Sequence, residues 1–391
     1  MKVEVISLGC RLNLAESESL RGLLAGAGDL VVINSCAVTA EALRQTRQAI
    51  RRARRARPGA RLLVTGCAAE IDRSAIAAMP EVDGLIANAA KLDPRAWNVA
   101  PFTARPAASQ HTRAFIAAQT GCDHACSFCV IPQGRGPSRS RAIAEVVADI
   151  SRQLDSGVRE VILTGVDLTA WGLDLPGAPR LGALVAAILR ACPALPRLRL
   201  SSLDGVEIDG ELLELLAGEP RVMPHLHLSL QHGDDIILKR MKRRHLRRDA
   251  LDLVAGLRVR RSDLAIGADL IAGFPTEDEA AHRANLAIIA DLGIVHGHVF
   301  PYSARAQTPA ARMPQTPLPV IRARAAELRA AVANAHARWH QGLVGTPLAV
   351  LAERDGTGHA ENFARVLLPA GAMPGTLLTI TPTRVDKGLL A

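Results

Sequence analysis

Apolar and polar positions alternate in short blocks through residues 1–100. "KVEVISLG" (2–9) reads as a strand, "LAESESLRGLLAGAG" (14–28) as a helix and "DLVVINS" (29–35) as a strand. A basic helix "AEALRQTRQAIRRARRAR" (40–57), a strand "ARLLVTG" (60–66), a helix around "IDRSAIAAMP" (71–80) and a strand "VDGLIAN" (82–88) complete the set. Apolar strands separated by helices predict a parallel sheet covered on both faces. "PFTARPAASQHT" (101–112) reads as a linker. Alternation then resumes, with strands at "RAFIAAQ", "EVILTGV", "RLRLSSL", "HLHLSLQ", "IGADLIAGF" and "VHGHVFPYS" and helices such as "AIAEVVADISRQLDSG" and "LGALVAAILRAC" between them. Six β/α units in roughly 190 residues predict an incomplete (β/α) barrel, because eight units take about 250.

A Pro-rich breaker, "ARMPQTPLP" (311–319), precedes a basic helix, "VIRARAAELRAAVANAHARWHQG". Short strand-like runs then follow, "PLAVLAER", "HAENFARVLLP" and "GTLLTITPTRV", separated by Gly and Pro turns. They predict a small β-barrel module of the oligonucleotide-binding type. The expected fold class is α/β in three parts: a parallel α/β domain over 1–100, a partial (β/α)6 barrel over 108–320 and a small C-terminal β-barrel over 346–391.

Composition narrows this picture. No apolar run reaches the ~18 residues of a membrane span. The start, "MKVEVISLGC", carries Glu4 and makes a poor signal peptide, so a cytoplasmic protein without a membrane partner is expected. There thiols stay reduced, and seven cysteines read as metal ligands, catalytic groups or buried apolar residues. Of 47 basic residues five are Lys, leaving 42 Arg, and the net charge is +9. This balance fits a nucleic-acid partner, and a GC-rich genome, which raises Arg and Ala together, accounts for it equally well. Aromatic residues are only 3%, so extensive base stacking on aromatic side chains is not expected.

The cysteines carry the chemistry. Cys10, Cys36 and Cys67 each directly follow a predicted strand. The carboxyl ends of parallel strands share one sheet edge, where ligands bind, so three thiols distant in sequence are expected to converge on a metal or cluster. Buried structural thiols are the alternative. Cys122, Cys126 and Cys129, spaced C-x3-C-x2-C, fall in the loop after the first barrel strand, on the face where barrel chemistry sits. Structural zinc takes four ligands, and only His124 is at hand as a fourth, which leaves a Cys3His zinc site as one reading. An iron–sulfur cubane ordinarily takes four cysteines, and three leave one iron open for substrate. Cys192 reads as a structural thiol.

"TGCDHACSFCVIPQGRG" (120–136) resembles the signature of radical S-adenosylmethionine (SAM) enzymes. "LGCRLN", "INSCAVT" and "LLVTGCAAE" resemble the N-terminal cysteine motifs of the methylthiotransferases within that superfamily. "LTGVDLTAWG", "RLRLSSLD", "HLHLSLQHGDDIILKRMKRRH", "GADLIAGFPTE" and "HVFPYSARAQTPAARMP" extend the resemblance over essentially the whole chain. The "HVFPYS…TPAARM" and "LSLQHGDD…MKRRH" stretches look most like the MtaB-type branch, which modifies N6-threonylcarbamoyladenosine beside the tRNA anticodon. Gly134, often Ala in the family, and His232, often a small residue, depart from the pattern.

The resemblance implies two [4Fe–4S] clusters, one on Cys122, Cys126 and Cys129, the other on Cys10, Cys36 and Cys67. It also implies SAM as cofactor: one SAM methylates a sulfur at the N-terminal cluster, another is cleaved at the triad, and the methylthio group goes to C2 of the adenine. That C2–H is not acidic enough for acid–base chemistry, so a radical cofactor fits the task. Gly165, Asp167, Ser202, Gln231, Asp269 and Gly273, at strand ends of the barrel mouth, are the SAM-contact candidates; turn chemistry is the alternative for several of them. The terminal module resembles the RNA-binding TRAM domain. Implied partners are tRNA, an electron donor such as flavodoxin or ferredoxin, and a sulfur source. The same chemistry on N6-isopentenyladenosine or on a ribosomal-protein aspartate is the alternative. A non-enzymatic iron–sulfur RNA-binding protein is a third reading, against which the open-iron count argues. The Arg51–Arg57 run reads first as a solvated helix face; "LKRMKRRHLRRD" (238–249) reads equally as a phosphate or SAM-carboxylate contact. His296 and His298 read as packed or surface groups rather than ligands.

Overall fold

The computed structural model describes residues 3–99 and 112–391, so nearly all of the expected linker lies outside the described residues. Strands β1 (Val3–Ser7), β2 (Leu30–Ser35), β3 (Arg61–Gly66) and β4 (Gly84–Leu85) form one parallel sheet in that order. Every residue of β2 is buried, because helices cover both faces. Helix α1 (Arg11–Leu23) packs Leu20 and Leu23 against Val5, Leu30 and Val32 on one face. Helix α2 (Ala40–Ala56), capped by the Thr39 side chain, packs Ile50 and Ala53 against Val31, Ile33 and Leu62 on the other. Two short helices, α3 (Cys67–Ile71) and α4 (Arg73–Ala77), follow β3.

The barrel consists of β5 (Arg113–Ala117), β8 (Glu160–Thr164), β9 (Arg197–Leu200), β10 (His225–Gln231), β11 (Ala265–Ala272) and β12 (Ile294–Pro301). They form two parallel sheets, β5-β8-β9 and β10-β11-β12, joined by bridges Leu198–Val222 and Leu203–Leu228. Between them run α6 (Ile143–Asp155), α7 (Leu181–Ala191), α8 (Gly210–Gly218), α9 (Asp235–Arg240), α10 (Arg247–Arg260) and α11 (Glu279–Asp291). A short pair, β6 (Gln119–Thr120) with β7 (Arg139–Ser140), brackets the cysteine loop and helix α5 (Ile131–Arg135). No pairing joins β5 to β12 among the described residues. Helix α1 rests on β5 and the long α12 (Leu318–Leu343) on β12, so the gap is flanked by two other parts of the chain.

Strands β13 (Leu348–Ala352), β14 (Thr357–Ala360), β15 (Arg365–Leu367), β16 (Leu377–Ile380), β17 (Val385–Asp386) and β18 (Leu389–Leu390) make a small sheet in the order β16-β13-β14-β15-β18-β17. This module docks on the amino ends of the barrel strands. Arg197 donates to the His359 and Ala349 carbonyls, and Arg199 donates to the Glu361 and Ala360 carbonyls at 2.7 Å each. Glu160, fully buried, accepts from Arg199 at 2.8 Å, and Arg113 pairs with Glu353 at 2.8 Å. The triad Cys122, Cys126 and Cys129, in the loop after β5, lies at the opposite, carboxyl end of the barrel strands.

Candidate active site between two cysteine sets

The loop after β5 is fixed by its backbone. The Cys122 N–H donates to the Gly136 carbonyl at 3.1 Å and the Cys129 N–H to the Cys126 carbonyl at 3.2 Å. Ser127 ties the loop to the barrel, donating from its hydroxyl to the Arg240 carbonyl at 2.8 Å. The three thiols are half-buried. Burial pushes the Cys122 thiol up to about 11 and the Cys129 thiol up to about 12. Cys126 differs: burial opposes its charge, but a hydrogen bond from His124 and the Arg243 guanidinium, 3.7 Å away, hold its thiol below the usual value. A thiolate is the form that ligates metal. His124 bonds Asp167 at 2.8 Å, and that bond, with those to Cys126 and Glu207, pushes its imidazole up to about 12.

The other three cysteines come from three loops at one sheet edge. Cys36 and Cys67 are buried and Cys10 is exposed. Burial pushes the Cys36 thiol up to about 11, with Cys67 and Cys10 acting on it as neighbouring charges. The loops approach so closely that only glycine fits before two of the cysteines. Gly9 has φ +90°, and a Cβ there would fall 2.6 Å from the Cys36 sulfur. Gly66 has φ +89°, and a Cβ would fall 2.5 Å from the Ser35 carbonyl oxygen. Asn13 donates to the Leu8 and Ser35 carbonyls at 2.7 and 3.0 Å, and Asn34 donates to the Asn13 carbonyl at 2.9 Å. The Ser35 hydroxyl accepts from Ala68 N–H at 3.1 Å. Neither set has a fourth cysteine; the seventh, Cys192, is buried in the barrel core, 3.8 Å from the Ser151 hydroxyl. Three thiols without a fourth suit a cubane with one open iron.

Helix α5, which leaves the triad, packs on α3, which begins at Cys67. A Cβ on Gly134 would sit 3.3 Å from the Cys67 Cβ and 3.0 Å from the Ile71 Cδ1. Asn88 donates to the Gly134 carbonyl at 2.6 Å. Below this junction Arg135 reaches across to Glu16 at 2.8 Å and to Asn13, while the buried Lys91 ammonium bonds the other Glu16 oxygen. Burial pushes the Glu16 carboxyl up, but Lys91 and Arg135 outweigh it and hold the group below the usual carboxylate range. The two cysteine sets therefore sit on elements locked together by a buried ion network.

Both cysteine-bearing parts of the chain are similar to known families. Residues 116–286 match the Radical SAM superfamily, and residues 2–87 match the uncharacterized protein family UPF0004. The chain is 39% identical, over all of its length and 97% of that protein, to a threonylcarbamoyladenosine tRNA methylthiotransferase MtaB of Rickettsia prowazekii. The chain belongs to the radical SAM methylthiotransferase family. A tRNA-2-methylthio-N(6)-dimethylallyladenosine synthase of Cereibacter sphaeroides is 32% identical over all of this chain and 98% of that one. Among solved structures, the radical SAM methyltransferase TsrM of Kitasatospora setae aligns with a TM-score of 0.56 at 16% identity, over 80% of this chain and 75% of that one. That likeness is one of fold alone. Membership in the radical SAM methylthiotransferases implies SAM and a [4Fe–4S] cluster.

The remaining sequence candidates spread over the barrel mouth and interior of this methylthiotransferase. Asp167 stands beside the triad, 3.7 Å from the Cys122 sulfur. Gly165 abuts Gln119, whose amide oxygen accepts from the Val166 and Asp167 N–H groups at 3.0 Å. Asp269 lies deeper, bonding His227 and His298 at 3.1 Å each, with Ser202 at 3.5 Å. Burial raises the Asp269 carboxyl, but the two imidazoles hold it well below the usual range. Gln231 takes a left-handed φ of +71°. Gly273 faces away from these groups, with Ile321 of α12 where a Cβ would point. In the basic stretch, Arg243 bonds Asp204 at 2.9 Å, Arg244 bonds Glu207, and Arg247 bonds Asp291, so these cations are engaged internally. His232, a departure from the family pattern, has its own buried partner, Glu277, at 3.3 Å.

Sequence reasoning assigned nothing to Glu16, Lys91 or Arg135, and read Arg243 only as part of a basic stretch facing phosphate or SAM carboxylate. Lys91 offered one signal: it is one of five lysines in a chain with 42 arginines. A buried ammonium fits beside one carboxylate where a guanidinium fork needs more partners.

Proposed function

We propose that this chain adds a methylthio group to C2 of N6-threonylcarbamoyladenosine next to the anticodon in tRNA. In this reading Cys122, Cys126 and Cys129 hold one [4Fe–4S] cluster, and Cys10, Cys36 and Cys67 hold a second. The observation that carries it is the packing of α5 on α3, which fixes two three-thiol sets against each other. When bound, the clusters and SAM supply radical chemistry at an unactivated carbon and the sulfur it receives. The chain's own task is placement. His124 and Arg243 lower the Cys126 thiol toward the thiolate that ligates metal, and Asp167 raises the His124 imidazole. The Glu16–Lys91–Arg135 network sets the separation between sulfur donor and carbon, where small misplacements are costly. A reductant such as flavodoxin or ferredoxin and a sulfur source are the further partners this chemistry requires.

The substrate reading is supported by the full-length relative from Rickettsia prowazekii, named for threonylcarbamoyladenosine. A second reading, N6-isopentenyladenosine, is favoured by the 32% identical relative from Cereibacter sphaeroides. Mass spectrometry of tRNA nucleosides from a deletion strain separates them. Loss of the methylthio form of threonylcarbamoyladenosine, with the unmodified form accumulating, is expected. Loss confined to the isopentenyl derivative rejects the first reading.

The C-terminal module is proposed to bind tRNA phosphates through exposed Arg354, Arg384 and Lys387. Replacing all three with Ala should reduce the log–log salt slope of tRNA binding by about 0.7–0.9 for every phosphate that a removed cation had neutralised. An unchanged slope leaves the module a purely structural part.

A further inference from the structure

A cavity of about 340 Å³ lies where the barrel, α1, α12 and the C-terminal module meet. Its volume is that of roughly ten water molecules. The walls are cationic and imidazole-rich: Arg11, Arg329, His225, His296 and His298, closed by the Phe363 ring. Phe363 holds a left-handed φ of +71°, a strained state for a bulky residue, and its ring lies under Arg11, Arg113 and Arg199 at 5.0 to 5.7 Å.

Two features mark this cavity as a binding site for an anion. First, the Arg11 guanidinium rests on the Phe363 ring beside the Arg113 and Arg199 cations; Asp269 and Glu160 act on it only from beyond ion-pair distance, so among the described residues no carboxylate pairs with it directly. A cation drawn partly out of water without an anion is costly. Second, His225 is 5% exposed and His296 is half-buried, yet the Nε2 atom of each is buried without a partner. Burial holds both imidazoles neutral, His296 down to about 3. Neutral imidazoles can donate or accept, and here no hydrogen bond answers either Nε2 atom. Arg11 also follows Cys10 directly, so the anion site is tied to the N-terminal cysteine set.

We propose that this cavity receives the threonylcarbamoyl arm of the substrate adenosine, with Arg11 binding its carboxylate and the imidazoles its hydroxyl and carbamoyl groups. The inference rests on the substrate reading above. It also gives that reading a physical basis, because an isopentenyl group would strip water from Arg11 and the imidazoles and return no hydrogen bond. Arg11 is then a specificity-determining residue. A hydrogen bond to a charged group is worth about 1.5–3 kcal/mol, or roughly 10- to 150-fold in affinity.

The test uses cluster-reconstituted enzyme with SAM and anticodon stem-loop RNAs carrying threonylcarbamoyladenosine, its methyl ester or isopentenyladenosine. The ester removes the charge and leaves the shape nearly intact. Wild type should bind the acid about 10- to 100-fold more tightly than the ester. Arg11→Gln should bind the two alike, Arg11→Lys should keep part of the preference, and the surface variant Arg329→Gln should lose a smaller part. If wild type prefers the acid and both Gln variants retain the full ratio, the carboxylate is read elsewhere: the cavity assignment fails and the substrate reading stands. If wild type prefers the isopentenyl RNA, the substrate reading fails first. A rise in SAM Kd in Arg11→Gln with unchanged RNA affinities assigns the cavity to the methionine carboxylate and overturns the proposal.

Discussion

The two cysteine sets reach the same kind of geometry by opposite routes. Cys122, Cys126 and Cys129 share one loop of eight residues, whose own backbone hydrogen bonds shape it. Cys10, Cys36 and Cys67 are spread over 58 positions and meet only because three parallel strands end at one edge. The first set depends on local chain geometry, the second on the whole N-terminal fold. A local site tolerates changes in its surroundings, whereas a site built from topology is lost with any of the loops that define it. Charge acts on both sets with different results: His124 and Arg243 bring the Cys126 thiol below its usual value, while Arg135 and Lys91 act on Cys67 without overcoming its burial.

The largest effect should come from the triad. Cys126→Ala is expected to abolish reductive SAM cleavage and to remove about four of about eight irons per reconstituted chain. Deoxyadenosine release and iron analysis check this. Tightly bound zinc with no iron would overturn both cluster assignments. Next, Cys36→Ala should leave SAM cleavage measurable and bring methylthio product below detection. Equal loss of deoxyadenosine release in both variants, with folding intact, would erase the proposed division of labour.

How much of this was legible in the sequence follows the same divide. The triad's spacing and its place after the first barrel strand pointed to its chemistry directly, because a local motif is written in consecutive residues. The N-terminal set was legible only through the strand pattern, and the prediction of convergence rested on parallel strands sharing an edge. The Glu16–Lys91–Arg135 network was not legible. Its members are 119 positions apart at most, and each alone reads as a surface charge. The docking of the C-terminal module was hidden for the same reason: Arg197 and Arg199 sit in an alternating strand, "RLRL", that reads as half-exposed. In the structure they are 3% exposed, covered by carbonyls of the module. Truncating residues 346–391 would therefore leave Arg197, Arg199 and Glu160 without that cover. Surface substitutions are the sounder probe of RNA binding.

The network is where the two routes are joined, and Glu16→Gln should show it. Losing the charge leaves Lys91 and Arg135 buried around a neutral amide, a change expected to destabilise the chain by about 3–5 kcal/mol. The wild-type carboxyl is depressed in the folded state, so its contribution is present above its ordinary value of about 4.5 and is lost as pH falls through the folded one. Thermal melting from pH 7 to pH 3 should show this acid sensitivity in wild type and a weaker one in the variant. A variant within about 1 kcal/mol of wild type would mean that the packing of α5 on α3 alone holds the sets together.

The smallest effect should come from Gly134→Ala, and its sign tells which side of the junction yields. Alanine favours a helix over glycine by about 1 kcal/mol, which stabilises α5. Against this, the new methyl meets Ile71 Cδ1 at 3.0 Å and Cys67 Cβ at 3.3 Å. The Ile71 tip can rotate away, whereas Cys67 is the first residue of α3 and is pinned through Ser35 to the edge of the sheet. The strain should therefore move α5, and with it the triad, by a few tenths of an ångström. Net stability is expected to change by less than about 1 kcal/mol. Methylthio transfer should fall a few-fold while SAM cleavage without RNA holds, since only the separation between the sets has changed. A fall in both rates together would place the yielding element inside the triad loop and make that loop the softer of the two sites.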